Sequence, residues 1–81
     1  MDIQDSREVI REIQKFLLDI SYRIQGFPRI TIDGIYGEET SNAVRYFQEL
    51  YGLPVTGTVD FLTLLFLFDV YEEIEENGHG E

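Results

Sequence analysis

The stretch that decides the fold runs from residue 33 to residue 63 and reads DGIYGEETSNAVRYFQELYGLPVTGTVDFLT. It begins with Asp33-Gly34, a turn pair in which the carboxylate accepts local backbone N–H groups and the glycine adopts a positive φ. Gly37 closes this turn, and the two acids after it favour the start of a helix, because the helix dipole stabilises negative charge there. The pattern predicts a loop over 26–37 that leads directly into a helix.

This second helix is predicted over 38–51, because the residues of its inner face repeat with helical spacing. They are Thr40, Ala43, Val44, Phe47, Leu50 and Tyr51. Gly52 stands where a left-handed residue ends a helix, with Leu53 placed to fold back on Phe47. Gln48 lies at the boundary of the inner face, where we expect it to hydrogen-bond backbone groups of a loop.

The segments on either side predict two further helices. The first, over 5–25, has one apolar stripe of Val9, Ile13, Phe16, Leu17, Ile20 and Ile24, and Asp5 with Glu8 has the spacing of a capping box. The third, over 60–76, starts at the N-cap Asp60 and ends at Asn77-Gly78, which leaves an acidic tail over 77–81. The chain is therefore predicted to be one all-α domain, a three-helix bundle with glycine-rich connections.

The third helix is apolar around most of its circumference, which exceeds what one core face requires. Leu62, Phe66 and Val70 form an i, i+4, i+8 ridge on it. We expect this ridge to be a candidate interface, either with a second copy of the chain or with a partner domain.

Composition and charge exclude several classes of function. The 81 residues suffice for one core only, and their net charge of −10 opposes binding to nucleic acid and to anionic membranes. The chain has no cysteine and one histidine, His79, so a metal site, a cofactor and a nucleophilic dyad are not expected. No signal peptide and no apolar run long enough to cross a bilayer is recognisable in the sequence.

A weak internal repeat relates residues 34–40 to residues 57–63, at an offset of 23. Each copy has a glycine turn, two connecting residues, a helix start and a threonine in the first turn. Gly34 and Gly57 correspond, as do Thr40 and Thr63, so each turn with its helix is expected to pack in the same way.

The motif residues together resemble the type 1 peptidoglycan-binding domain, a small three-helix module. The matching string consists of Asp33-Gly34-Ile35-Tyr36-Gly37, Thr40, Ala43-Val44-Arg45, Phe47-Gln48, Gly52-Leu53-Pro54-Val55, Gly57, Asp60 and Thr63. The chain departs from the family pattern at Leu64, where an aromatic residue is usual, at Tyr36, and in the length of its 21–32 segment. The resemblance implies a bacterial, non-catalytic module that binds peptidoglycan or a muropeptide, and a cell-wall or extracellular location if it belongs to a longer exported protein.

Such a ligand offers sugar faces, amides and stem-peptide carboxylates, which aromatic rings, polar side chains and arginine can bind. We expect a shallow groove formed by Tyr36, Asn42, Arg45 and Tyr46, with Arg29 close to it. In the alternative interpretation, Arg45 is an ion-pair partner of Glu49 and both tyrosines are half-buried edges of the core. Catalysis is not expected, because the carboxylates cluster in the acidic end of the chain rather than in a pocket.

Overall fold

The protein is known from a computed structural model that describes the backbone of residues 6–79 and the side chains of residues 6–73. It has three helices, α1 (Arg7–Arg23), α2 (Glu38–Leu50) and α3 (Phe61–His79), and no strand within the described residues. The predicted all-α three-helix bundle is therefore confirmed. Residues 30–32 are a loop in this structure.

The helix bounds differ from the predicted ones by one residue at the end of α2 and the start of α3, and by more at both ends of α1 and at the end of α3. The N-cap of α1 is Ser6, whose hydroxyl oxygen accepts the Val9 N–H at 3.3 Å, rather than Asp5, which lies outside the described residues. α1 ends at Arg23, because Gly26 adopts a φ of +90° in the turn that follows. α3 continues to His79, since asparagine and glycine weaken a helix by about 1 kcal/mol each without preventing it.

The end of α2 follows the predicted Schellman arrangement. Gly52 has a φ of +71° and donates its N–H to the Glu49 carbonyl at 3.3 Å, while the Leu53 N–H donates to the Gln48 carbonyl at 2.8 Å. Leu53 is then buried against the core. This stop turns the chain back towards α2, so that the loop between α2 and α3 can contact it.

The core lies where α1 packs against α2 and, more extensively, against α3. Its completely or almost completely buried apolar side chains are Ile13, Leu17, Ile20, Ala43, Val44, Phe47 and Leu67. One residue of each predicted inner face is wrong: on α1 Val9 is exposed and Ile10 is buried instead, and on α2 Leu50 is exposed. Ile10 stands four residues before Gln14, on the side of α1 that the loop of residues 33–35 covers.

Gln14 joins α1 to the Asp-Gly loop through a completely buried side chain. Its Oε1 accepts the N–H groups of Asp33 and Gly34 at 3.0 and 2.9 Å. Its Nε2 donates to the Ile35 carbonyl at 3.0 Å and to Thr40 Oγ1 at 2.9 Å. One side chain therefore fixes both the loop and the first turn of α2.

Gln48 makes the corresponding contacts with the second glycine loop. Its Oε1 accepts the N–H groups of Thr56 and Gly57 at 2.8 and 3.0 Å. Its Nε2 donates to the Thr58 carbonyl and to Thr63 Oγ1, both at 3.0 Å. The internal repeat is thus a structural unit: a buried glutamine, a glycine loop, and a threonine in the first turn of the next helix.

The predicted ridge on α3 is not one exposed surface. Val70 is 9% exposed and belongs to the core, because it shares the inward side of α3 with Thr63 and Leu67. Phe66 is half-buried, with its ring centroid 6.4 Å from that of Tyr51, and of the three predicted residues only Leu62 is exposed. Among the residues of α3 whose side chains the structure describes, the exposed apolar ones are Phe61, Leu62, Leu65 and Phe68, here called the outer face of α3.

Two aspartates stabilise the repeated units with local hydrogen bonds to backbone N–H groups. Asp33 Oδ1 accepts the Ile35 N–H at 2.9 Å, and this bond, together with the smaller effect of the bond from Gln14 Nε2, lowers the pKa of Asp33 below its ordinary value. Asp60 Oδ1 accepts the Thr63 N–H at 2.8 Å, which likewise lowers the pKa of Asp60. A lowered folded pKa stabilises the fold above the unfolded pKa, and this contribution is lost as the pH falls through the folded pKa.

We expect Gln48→Leu and Gln14→Leu each to lower the free energy of unfolding by about 3 kcal/mol, because each leaves buried backbone groups without a hydrogen bond. Urea denaturation followed by circular dichroism measures this change. The matched control is Gln25→Leu in the exposed loop, which should change the free energy by less than about 0.5 kcal/mol. Equal effects at all three glutamines would contradict the role given to the two buried amides.

We expect Asp33→Asn and Asp60→Asn to lower stability at neutral pH, because asparagine keeps an acceptor oxygen but loses the charge that strengthens the bond. The difference in unfolding free energy between wild type and variant should start to shrink near the unfolded aspartate pKa of about 4 and vanish once the pH is below the lowered folded pKa, where the folded aspartate is neutral too. Denaturation at a series of pH values measures it. A difference that stays constant down to about pH 2 would show that the charge contributes nothing.

Candidate functional site

A shallow groove of about 470 Å³ lies between the start of α2 and the loop that joins α2 to α3. Its lining residues are Tyr36, Gly37, Glu38, Ser41, Arg45, Thr56, Gly57 and Thr58. The two glycine loops of the internal repeat form its walls, and Gln14 and Gln48 hold those loops in place. Its volume is within the range of sites for small ligands.

The Gly57 carbonyl fixes one wall of the groove to the other. It accepts a hydrogen bond from the Tyr36 hydroxyl at 2.7 Å and a second from the Ser41 hydroxyl at 3.2 Å. Burial raises the pKa of Tyr36 to about 12, and the Arg45 charge opposes this shift only in part. Tyr36 therefore stays protonated at neutral pH, with its hydroxyl committed to the loop and its ring lining the groove.

Arg45 provides the positive charge of the groove. Its Nη1 donates to Asn42 Oδ1 at 2.9 Å, three residues earlier on α2. Among the described side chains no ion pair joins Arg45 to Glu49, so the alternative interpretation of Arg45 is wrong in this respect. Arg45 is exposed where it lines the groove, and the N–H donors of its guanidinium that Asn42 does not use can bind an anionic ligand.

The structure separates the five predicted ligand residues into two groups. Tyr36 and Arg45 line the groove, and Asn42 contacts Arg45. Tyr46 lies on another side of α2, where its ring meets the edge of Phe27 at 5.1 Å between centroids. Arg29 is not among the residues that line the groove, and its guanidinium lies 4.2 Å from the centre of the Tyr22 ring. The alternative interpretation makes both tyrosines half-buried. The structure has Tyr36 half-buried, whereas Tyr46 is more exposed.

Sequence reasoning missed Ser41, Thr56 and Thr58, which complete the groove, and gave Gln14 no role in fixing it. Ser41 precedes the two threonines by 15 and 17 positions, so helical spacing cannot bring it together with them. Gln14 carried a usable signal: it follows an apolar residue on the inner side of its helix, as Gln48 does, and each glutamine precedes one copy of the repeat.

None of the helices among the described residues is both long and apolar enough to cross a bilayer. In the same part of the chain, no group of three or more His, Cys, Asp or Glu side chains is arranged to hold a metal ion.

The fold and the groove define a small helical module whose two glycine loops frame a surface site. A family model for a peptidoglycan binding domain matches residues 6–67, which is most of the chain. The chain therefore belongs to this peptidoglycan-binding domain family, as its motif residues predict. Neither the search of curated proteins nor the search of solved structures found a significant match.

Substitution by alanine should lower the free energy of unfolding by different amounts at Gly52 and Gly57, although both glycines have a positive φ. A Cβ at Gly57 would lie 2.6 Å from Ser41 Oγ and 3.0 Å from the Arg45 guanidinium, whereas a Cβ at Gly52 meets nothing within 4 Å. Gly52→Ala should cost about 1 kcal/mol for the left-handed conformation alone, and Gly57→Ala should cost at least about 2 kcal/mol. Urea denaturation of both variants measures the difference. Equal costs would mean that α2 does not lie against the loop.

Proposed function

We propose that this domain binds peptidoglycan through the groove, and that it targets or anchors a linked protein to the cell wall without performing catalysis. Membership of the family supports peptidoglycan as the ligand in general. The observation that carries the assignment of the site is Arg45, an exposed guanidinium at a groove lined by hydroxyl groups and one tyrosine ring.

Arg45 would bind a carboxylate of the stem peptide. A guanidinium offers two parallel N–H groups to a carboxylate, and such charge-assisted bonds are about twice as strong as neutral ones. Thr58 lies on the opposite wall, where its hydroxyl can bond amides or sugar hydroxyls, whereas the Thr56 hydroxyl is engaged by Gln48 Nε2 and by the backbone of Thr58. The Tyr36 ring offers an apolar face.

The chemistry of the groove supports binding rather than catalysis. Glu38 is the one carboxylate among the lining residues, and hydrolysis of a glycosidic bond ordinarily requires a pair. The Ser41 hydroxyl donates to the Gly57 carbonyl, so the contact it makes does not activate it as a nucleophile. A wall-binding module needs neither group to react.

The net charge of −10 slows the association of the domain with an anionic wall but does not prevent binding. Repulsion from anionic wall polymers is screened within about 8 Å at physiological salt. Binding then depends on contacts made inside the groove, where Arg45 offsets the neighbouring Glu38.

The test is retention of the domain on insoluble purified peptidoglycan, compared with an unrelated domain of equal charge. Arg45→Ala should weaken retention about tenfold, because one charge-assisted contact contributes about 1.5 kcal/mol or more. Arg45→Lys should restore it only in part, since lysine lacks the planar fork. The matched control is Arg29→Ala, which removes the same charge from the Tyr22 side of the molecule.

The alternative outcomes of this test are distinct. Equal losses for Arg45→Ala and Arg29→Ala would mean that net charge, and not the groove, governs retention. Muropeptides whose stem carboxylates are amidated should bind to the wild type more weakly than muropeptides with free carboxylates do. The Arg45→Ala variant should bind the two kinds of muropeptide equally. Unchanged binding of the amidated muropeptides by the wild type would contradict carboxylate recognition.

A further inference from the structure

The outer face of α3 is a cluster of large apolar side chains that the bundle does not cover. The exposed fractions are 74% for Phe61, 43% for Leu62, 48% for Leu65 and 49% for Phe68. Phe61, Leu65 and Phe68 follow at i, i+4 and i+7 and therefore form one stripe along the helix. Elsewhere among the described residues the exposed apolar side chains are single, as Ile35 and Val55 are, or form a pair, as Tyr46 and Leu50 do on α2. A contiguous apolar stripe of this kind is typical of an interaction site.

Acidic side chains surround the stripe. Asp69, Glu72 and Glu73 follow it on α3 and are exposed, and Glu72 continues the line of Phe61 and Leu65. These three acids extend the apolar stripe into a negatively charged surface along the same helix.

The rim continues onto α1. Phe68 meets Phe16 of α1 with 5.5 Å between ring centroids. Glu12 and Asp19 stand four residues before and three residues after Phe16, on the same side of α1. Arg23, seven residues after Phe16, adds one positive charge there, so the acids outnumber the bases around this surface.

We propose that the outer face of α3 binds a basic amphipathic helix of a partner protein, with the partner's apolar residues on the stripe and its lysines or arginines on the acidic rim. Amphipathic helices bind helix faces through apolar anchors at i, i+3, i+4 and i+7, and opposite charges at the rim set the choice of partner. A second copy of this chain is the poorer occupant, because it would bring the same acidic rim and a net charge of −10 to the contact.

This surface goes beyond the proposed wall-binding function, and the two sites share no residue. The residues that line the groove end at Thr58, and the outer face begins at Phe61. Binding of a partner helix therefore leaves Arg45 and the groove available.

The probe is a synthetic helix of about 15 residues with leucine along one side and lysine on the other, a length at which isolated helices become stable. The counterpart has glutamate in place of lysine. In titrations followed by NMR, the lysine peptide should shift the amides of residues 61–73, more weakly as salt is added, and the glutamate peptide should shift none of them. Equal binding of both peptides, or of neither, would overturn the proposal.

Phe61→Gln combined with Leu65→Gln should weaken the lysine peptide at least about tenfold, since apolar anchors contribute most of the affinity of such contacts. Leu50→Gln on α2 is the matched control, because Leu50 is 47% exposed and Leu65 is 48% exposed. Unchanged circular dichroism and urea midpoints establish that both variants are folded. An equal loss for the control, or no loss for the double variant, would overturn the assignment of the site.

A second pair of variants tests whether the acidic residues beside the outer face contribute to binding of the lysine peptide. Glu72→Gln with Glu73→Gln should weaken the lysine peptide several-fold, and Glu39→Gln with Glu49→Gln on α2, which changes the net charge equally, should not. Sedimentation of the wild type should give a monomer at all concentrations. A dimer that Phe61→Gln with Leu65→Gln abolishes would instead identify a second copy of the chain as the occupant.

Discussion

Two buried amide side chains hold this small domain in one arrangement. Gln14 and Gln48 each bind two backbone N–H groups of a glycine loop and a threonine of the following helix. A loop that carried these N–H groups into the interior without partners would lose about 1–3 kcal/mol per group. Because a domain of 81 residues is only modestly stable, losing these hydrogen bonds would destabilise the whole bundle as well as the two loops.

The candidate groove is a consequence of this arrangement. Once Gln48 has fixed the second loop, the Gly57 carbonyl faces α2 and accepts the hydroxyls of Tyr36 and Ser41. The lack of a Cβ at Gly57 lets the loop approach the Arg45 guanidinium. The family motif therefore encodes the walls of a site, whereas the side chains that face into it, such as Arg45, determine what the site can bind.

The fold was predictable from the sequence because its signals are local. Helical spacing and the Gly52 stop fixed α2 to within one residue, and the motif identified the family. The site was predictable only in part. Tyr46 and Arg45 are adjacent in sequence and lie about 100° apart around α2, so only contacts from other elements decide which of them meets a ligand groove. The contact between Tyr36 and Gly57 spans 21 residues and leaves no periodic pattern in the sequence.

The composition of α3 follows from the size of the domain. Its inward side, with Leu67 and Val70, completes the core, and two short helices cannot also cover the opposite side. An exposed Phe61 there contributes little to folding and lowers solubility unless charge compensates. The acids after residue 68 supply that charge, and they also repel like surfaces. Apolar side chains kept on such a helix are therefore explained better by a partner of opposite charge than by the needs of the bundle.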